Sequence, residues 1–141
     1  MMAEEEEPQF DNWKDAWEYK AGKTRDVFLT LSEAELLKMI KEDRTDMFYQ
    51  VWYAIGEKGT RENAVPVLFQ YLVDNPGDDY YLDRSHCSNA LYKILGIREG
   101  KEPEEDVRMR SIIDNEGENT RQEALLELKK LIETKIGHEK F

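Results

Sequence analysis

The residues able to do chemistry are few, and their spacing works against most of it. The chain of 141 residues holds two histidines, His86 and His138, and a single cysteine, Cys87. Cys87 directly follows His86, and Ser85 directly precedes it. Successive side chains on a helix point about 100° apart, so neither neighbour faces His86 as a nucleophile faces its base. A zinc site needs ligands at fixed spacings such as Cys-x-x-Cys or His-Glu-x-x-His, and neither occurs. Asp78, Asp79 and Asp83 offer hard oxygen ligands, but without the alternating spacing and later bidentate glutamate of a calcium loop. Gly56-Glu57-Lys58-Gly59-Thr60 contains Lys and Thr but lacks P-loop spacing, and no strand leads into it. Among 31 acidic residues nothing selects a pair for general acid–base work. The expectation is therefore no enzyme: no catalytic residue, no metal site and no cofactor. Cys87 stands at a small position of an apolar pattern and reads as a buried, inert thiol.

What remains is surface. Residues 74–83 carry Asp74, Asp78, Asp79 and Asp83 with no Lys or Arg, and Tyr80 and Tyr81 stand among them. Acid that steers a basic partner, together with tyrosine that anchors it, is an interface composition. Asp78, Asp79, Tyr80, Tyr81 and Asp83 are accordingly the candidate protein-binding residues. The competing reading is structural: the tyrosines pack over helix ends, and Asp83 is the N-cap of the helix containing Arg84. The formal net charge is −11, which repels a phosphate backbone and suits a basic protein partner, or simply solubility.

The elements that must position these residues read as helices. Phe10, Trp13, Trp17 and Ala21 fall at helical spacing, and Gly22 is expected to close that segment. Val27 to Leu31 is locally strand-like but has no strand to pair with, which predicts an apolar linker packed under the helices. Ser32 with Glu35 forms a capping box for a second helix, stapled by Leu31 and Leu36. A third helix, about Asp46 to Ile55, is apolar nearly all round and predicts burial on both sides. Next comes a helix opened by Asn63, with Pro66 in its first turn, where a missing N–H costs nothing. Arg84 to Gly96 follows, and Pro103 opens another helix, with Glu104, Glu105 and Asp106 near its positive end. Thr120 with Glu123 predicts a capping box for the last helix, whose apolar stripe runs to Gly137. Trp13, Trp17, Phe48 and Trp52 are expected in the core, although a homodimer surface is the alternative.

The stretch from Arg44 to Gly96 is one unit written twice. Ala54-Ile55-Gly56 ends one apolar pattern and Ile94-Leu95-Gly96 ends another, each with Arg twelve residues before the glycine. Gly22, Gly56, Gly96 and Gly137 recur at intervals that suit helical repeats. Arg84, Cys87, Ala90, Leu91 and Ile94 resemble helix A of the HEAT-like repeats of the bilin-lyase type. Ala64, Val65, Pro66, Leu68, Leu72 and Asp74 resemble helix B. The likeness covers roughly a third of the chain and departs from the pattern at Met47 and Gln50, where small residues are usual. It implies an all-α fold, a right-handed α-α superhelix of about seven helices, and a habit of binding proteins, not a reaction. The expected organisation is an acidic flexible tail over 1–9 followed by a single HEAT-like domain over 10–141.

The function that follows is a non-catalytic protein-binding module. Its sharpest form is an immunity protein, an antitoxin that neutralises a basic toxin such as a nuclease through an acidic face. A general HEAT-like adaptor or scaffold is the alternative, and a bilin-lyase-like enzyme is a further one. Nucleic-acid binding would need a basic concave groove, which Arg61, Glu62, Asn63 and Gln70 do not supply. No apolar run approaches the length of a membrane span, and Met1-Met2-Ala3-Glu4-Glu5-Glu6-Glu7 is acidic where a signal peptide is basic. The expected place is the cytoplasm.

Overall fold

Helix caps and glycines divide the chain into its elements. The computed structural model describes residues 9–46, 48–97, 103–114 and 117–137, with the backbone alone for 103–108. Seven α-helices and no strand occur among the described residues: α1 (Trp13–Phe28), α2 (Glu33–Lys41), α3 (Gln50–Lys58), α4 (Ala64–Asp74), α5 (Tyr81–Leu95), α6 (Pro103–Asp114) and α7 (Glu118–Ile136). A short 3-10 turn over Asp78–Tyr80 precedes α5. The fold is all-α. The acidic stretch 1–8, Met47 and the segment 98–102 lie outside the described residues.

Several boundaries follow the expected signals. Ser32 caps α2, its hydroxyl accepting from the Glu35 amide at 3.1 Å. α4 begins at Ala64, so Pro66 does fall in the first turn. α6 opens at Pro103. Gly96 takes the left-handed conformation at the end of α5 (φ 77°), and the Ile97 amide reaches back to the Tyr92 carbonyl at 2.9 Å.

Other boundaries correct the sequence reading. Gly22 does not close α1, which continues through Val27 to Phe28; only Leu29 to Leu31 remain of the expected linker, with Leu29 and Leu31 packed against the core. Gly22 is not in the left-handed conformation that ends a helix, and its interior cost of about 1 kcal/mol is small against a continuous turn of hydrogen bonds. Asp46 lies before α3, whose N-cap is Tyr49 in the left-handed conformation (φ 60°); its carboxylate accepts from the amides of Phe48, Gln50 and Val51 at 3.1, 3.0 and 2.8 Å. Gly56 lies inside α3 and faces α5; a Cβ there would stand 3.5 Å from Ala90 Cα, an ordinary contact. The helix stops at Gly59, where a Cβ would meet the Ile55 carbonyl oxygen at 2.6 Å. Asn63 makes no side-chain cap and instead donates to Glu33 at 2.8 Å. The Thr120–Glu123 capping box does not form, since α7 starts at Glu118 and the Arg121 amide already bonds to Gly117.

The centre of the molecule is α3, α4 and α5. α3 packs against α1, α2 and α5; α4 packs against α2 and α5; α5 also packs against α6, and α6 against α7. Contacts ascend together in α3 and α5, from Trp52 with Asp83 to Gly56 with Ala90 to Glu57 with Lys93, so these helices run in the same direction. Trp17 with Phe48 and Arg25 with Tyr53 give α1 that direction as well. Leu68, Leu72, Leu91, Ile55 and Trp52 are essentially without exposure, each contributing roughly 2 kcal/mol by burial. Of the four aromatics expected in the core, only Trp52 is fully there. Trp13 is 79% exposed and Trp17 43% exposed, and α1 has no buried residue; among the described elements it packs chiefly on α3.

Helix C-termini are tied down by cations from other elements. Arg61 donates to Ile94 and Leu95 at the end of α5. Arg121 donates to Leu72 and Val73 at the end of α4. These carbonyls have no intrahelical donor and carry the negative end of the helix dipole, so a cation satisfies both needs at once.

Candidate protein-binding surface

The acidic stretch between α4 and α5 is built on a buried arginine. Arg84 sits in the first turns of α5 with 1% exposure. Its Nε donates to Ile113 at the end of α6 at 3.0 Å, and its terminal nitrogens reach the carbonyls of Asn75 (3.0 Å), Gly77 (2.5 Å) and Ile113 (2.6 Å). The loop backbone is thus clamped from beneath by a side chain with a fixed donor fork. Burial first, and then the nearby Arg121 charge, push the Arg84 pKa down, while Asp78 and Asp114 oppose that shift.

Two further bonds hold the loop from the side. The Tyr80 hydroxyl donates to Asp43 at 2.7 Å, and Asp43 also receives the Tyr71 hydroxyl at 3.4 Å. Both tyrosines have raised pKa values, Tyr71 chiefly through burial and Tyr80 chiefly through its bond to Asp43, so both stay protonated donors. Asp43 itself is left-handed, with φ 55°, a region that aspartate tolerates better than most residues. On the other side the Trp52 indole N–H donates to Asp83 at 2.9 Å.

The five candidate residues therefore divide. Asp78 and Asp79 stand exposed on the 3-10 turn, and among the described residues no hydrogen bond or ion pair engages either carboxylate. Tyr81 is 45% exposed, and Leu82 beside it, which the sequence reading passed over, is 50% exposed. Tyr80 and Asp83 face inward to Asp43 and Trp52. Asp83 is not the N-cap of α5, which begins at Tyr81 with no side-chain cap. The indole bond explains Asp83 instead. No local sequence signal marks that bond, since its partners lie 31 residues apart.

The chemical candidates resolve in the same way. Cys87 is fully buried with its Sγ against the Leu68 carbonyl at 3.4 Å, and burial pushes its thiol pKa well up. A thiol so placed is a poor nucleophile. His86 stacks on Tyr49 at 4.7 Å, and burial lowers its pKa against the opposing pull of Asp83 and Asp46. Among the described residues, no group of three or more His, Cys, Asp or Glu side chains is placed to hold a metal ion, and no helix is long and apolar enough to cross a membrane. Comparison of the chain with protein-family models, with curated proteins and with solved structures finds no match.

Proposed function

We propose that this chain is a non-catalytic receptor for a basic protein, and in its sharpest form an immunity protein that neutralises a cationic toxin such as a nuclease. The observation that carries the reading is the ridge formed by Asp78, Asp79, Tyr81 and Leu82. Two unengaged carboxylates on the 3-10 turn and an aromatic ring and an aliphatic side chain in the first turn of α5 are exposed in succession, after a loop whose carbonyls at Asn75 and Gly77 are held by Arg84. A surface fixed before binding loses little conformational freedom when a partner docks, so more of the contact energy appears as affinity. The net charge of −11 supplies long-range attraction for a cation-rich partner. A HEAT-like stack is the scaffold proposed for it, supported by the doubled Arg-to-Gly pattern and by α1, α3 and α5 running the same way. Within this reading the protein acts in the cytoplasm, ahead of any damage the toxin would do there.

A tagged pull-down from the native cell lysate, at low and at physiological salt, tests the proposal. One basic protein should be recovered in stoichiometric amount and should be toxic when expressed alone. A non-toxic basic partner would keep the receptor and replace the immunity role with that of an adaptor. A clean column at both salts would sink the proposal.

A further inference from the structure

A groove of about 470 Å³ lies between the end of α2 and the outer face of α4. Its floor is apolar: Ile40 and Tyr71 are almost fully buried beneath it, and Val67 is half-buried at its side. That volume lies within the range of side-chain and small-ligand pockets. Asp43 and Asp74 stand on its walls, and Lys41 is its one cation among the described lining residues.

We propose that this groove receives an aliphatic side chain from a basic segment of the protein partner, with the flanking Lys or Arg of that segment held by Asp43 and Asp74. The inference rests on the receptor reading above and deepens it by naming what enters. Charge complementarity selects the occupant: an acidic segment would bring carboxylates against Asp43 and Asp74, at a cost of like-charge contact that a basic segment turns into attraction. Asp74 is oriented by Gln70, whose side-chain amide donates to one carboxylate oxygen at 2.8 Å and leaves acceptor capacity for a second donor. Asp43 is oriented by the hydroxyls of Tyr71 and Tyr80. Tyr71 thus serves twice, as floor of the groove and as a positioning donor to its wall. Asn75, at the rim, has its carbonyl held by Arg84, so the groove and the Asp78–Asp79 ridge share one clamped backbone.

The test uses the full ¹⁵N-labelled chain titrated with the peptide acetyl-Leu-Lys-Arg-amide, and separately with acetyl-Leu-Glu-Asp-amide. Saturable millimolar shifts of the Ile40, Val67, Gln70 and Asp74 amides are expected with the basic peptide and not with the acidic one. Val67→Lys should weaken that response about tenfold, the size of one lost anchor contact, while leaving the fold intact by circular dichroism. Equal response to both peptides, no response in the groove, or undiminished binding by Val67→Lys would overturn the inference. Shifts confined to Asp78 and Asp79 would also remove the groove while sparing the ridge. A groove response in a chain that captures no protein from lysate would uphold the groove and remove the receptor reading instead.

Discussion

Replacing Arg84 with methionine separates two opposed energies that meet in one side chain. Arg84 satisfies three backbone carbonyls, those of Asn75, Gly77 and Ile113, at 1% exposure and with no carboxylate bonded to it. Methionine keeps the apolar stem but leaves the three acceptors without that donor, at roughly 1 kcal/mol each. Against that loss of about 3 kcal/mol stands the relief of no longer burying a cation near Arg121, a relief that shows in the lowered Arg84 pKa. Bonds to a charged donor are stronger than neutral ones, so the loss should prevail and leave a net destabilisation of about 2 kcal/mol. For a domain of this length that is a fall in Tm of roughly 6 °C. Urea unfolding followed by helical circular dichroism reads the difference directly. Arg84→Lys should lose nearly as much, because an ammonium is a point donor and does not span both the Asn75–Gly77 loop and Ile113. A methionine variant as stable as the parent would refute the reasoning, since burial of the charge would then outweigh every bond it makes.

The other predictions concern single positions. Gly59→Ala should destabilise by roughly 2 kcal/mol, because the new Cβ meets the Ile55 carbonyl oxygen at 2.6 Å and Ala64 Cβ and Ile94 Cδ1 at 2.8 Å. Gly56→Ala should be tolerated or gain up to about 1 kcal/mol of helix propensity, as its Cβ would make only ordinary contacts at 3.5 Å; urea midpoints of the two variants should lie on opposite sides of the parent or nearly so. His86 has its pKa lowered in the folded state by burial, so the unfolded chain binds its proton more readily. Its contribution to stability is then complete above the unfolded value of about 6.5 and is lost as pH falls through the lower folded value. His86→Phe, which keeps the stack on Tyr49, should flatten the stability profile in that window, and an imidazole NMR titration at or above the ordinary histidine value would contradict the assignment. Cys87 should resist a thiol reagent in buffer and react at once in denaturant; rapid labelling of the native protein would show that its site on α5 is not closed.

The local signals in this chain were strong where one residue decides a conformation. Ser32, Pro66, Pro103 and Gly96 act through the backbone of their own turn, and each boundary they mark was legible. Glycines were legible only in part, because a glycine ends a helix or admits a neighbour, and the sequence looks the same in both cases. Gly96 does the first, whereas Gly56 lies inside α3 in ordinary contact range of Ala90, a placement that depends on where α5 lies. Burial of Trp13 and Trp17 was misread for a related reason: helical spacing shows that they share a face, not that another element covers it. At the candidate surface, exposure of Asp78, Asp79 and Tyr81 agrees with an interface composition. The roles of Asp83, Tyr80 and Asp43 were not legible, since each is fixed by a partner 31 or 37 residues away. Arg84 was visible as the first residue of a repeat pattern, but its work as the clamp of the loop follows from the carbonyls that α4 and α6 bring to it. Arg121 carries no local signal, being one charge in a polar-looking stretch whose partners at the end of α4 are 48 and 49 residues away.

Association kinetics test the acidic ridge most directly. The protein captured from lysate would be passed over the immobilised chain and over its Asp78→Lys/Asp79→Lys double variant, at low and at physiological salt. The ridge predicts a fall in association rate of about tenfold or more in the variant, a parent rate that drops as salt rises, and a smaller change in dissociation. Unaltered kinetics in the double variant at both salts would contradict it and place the interface elsewhere on the molecule.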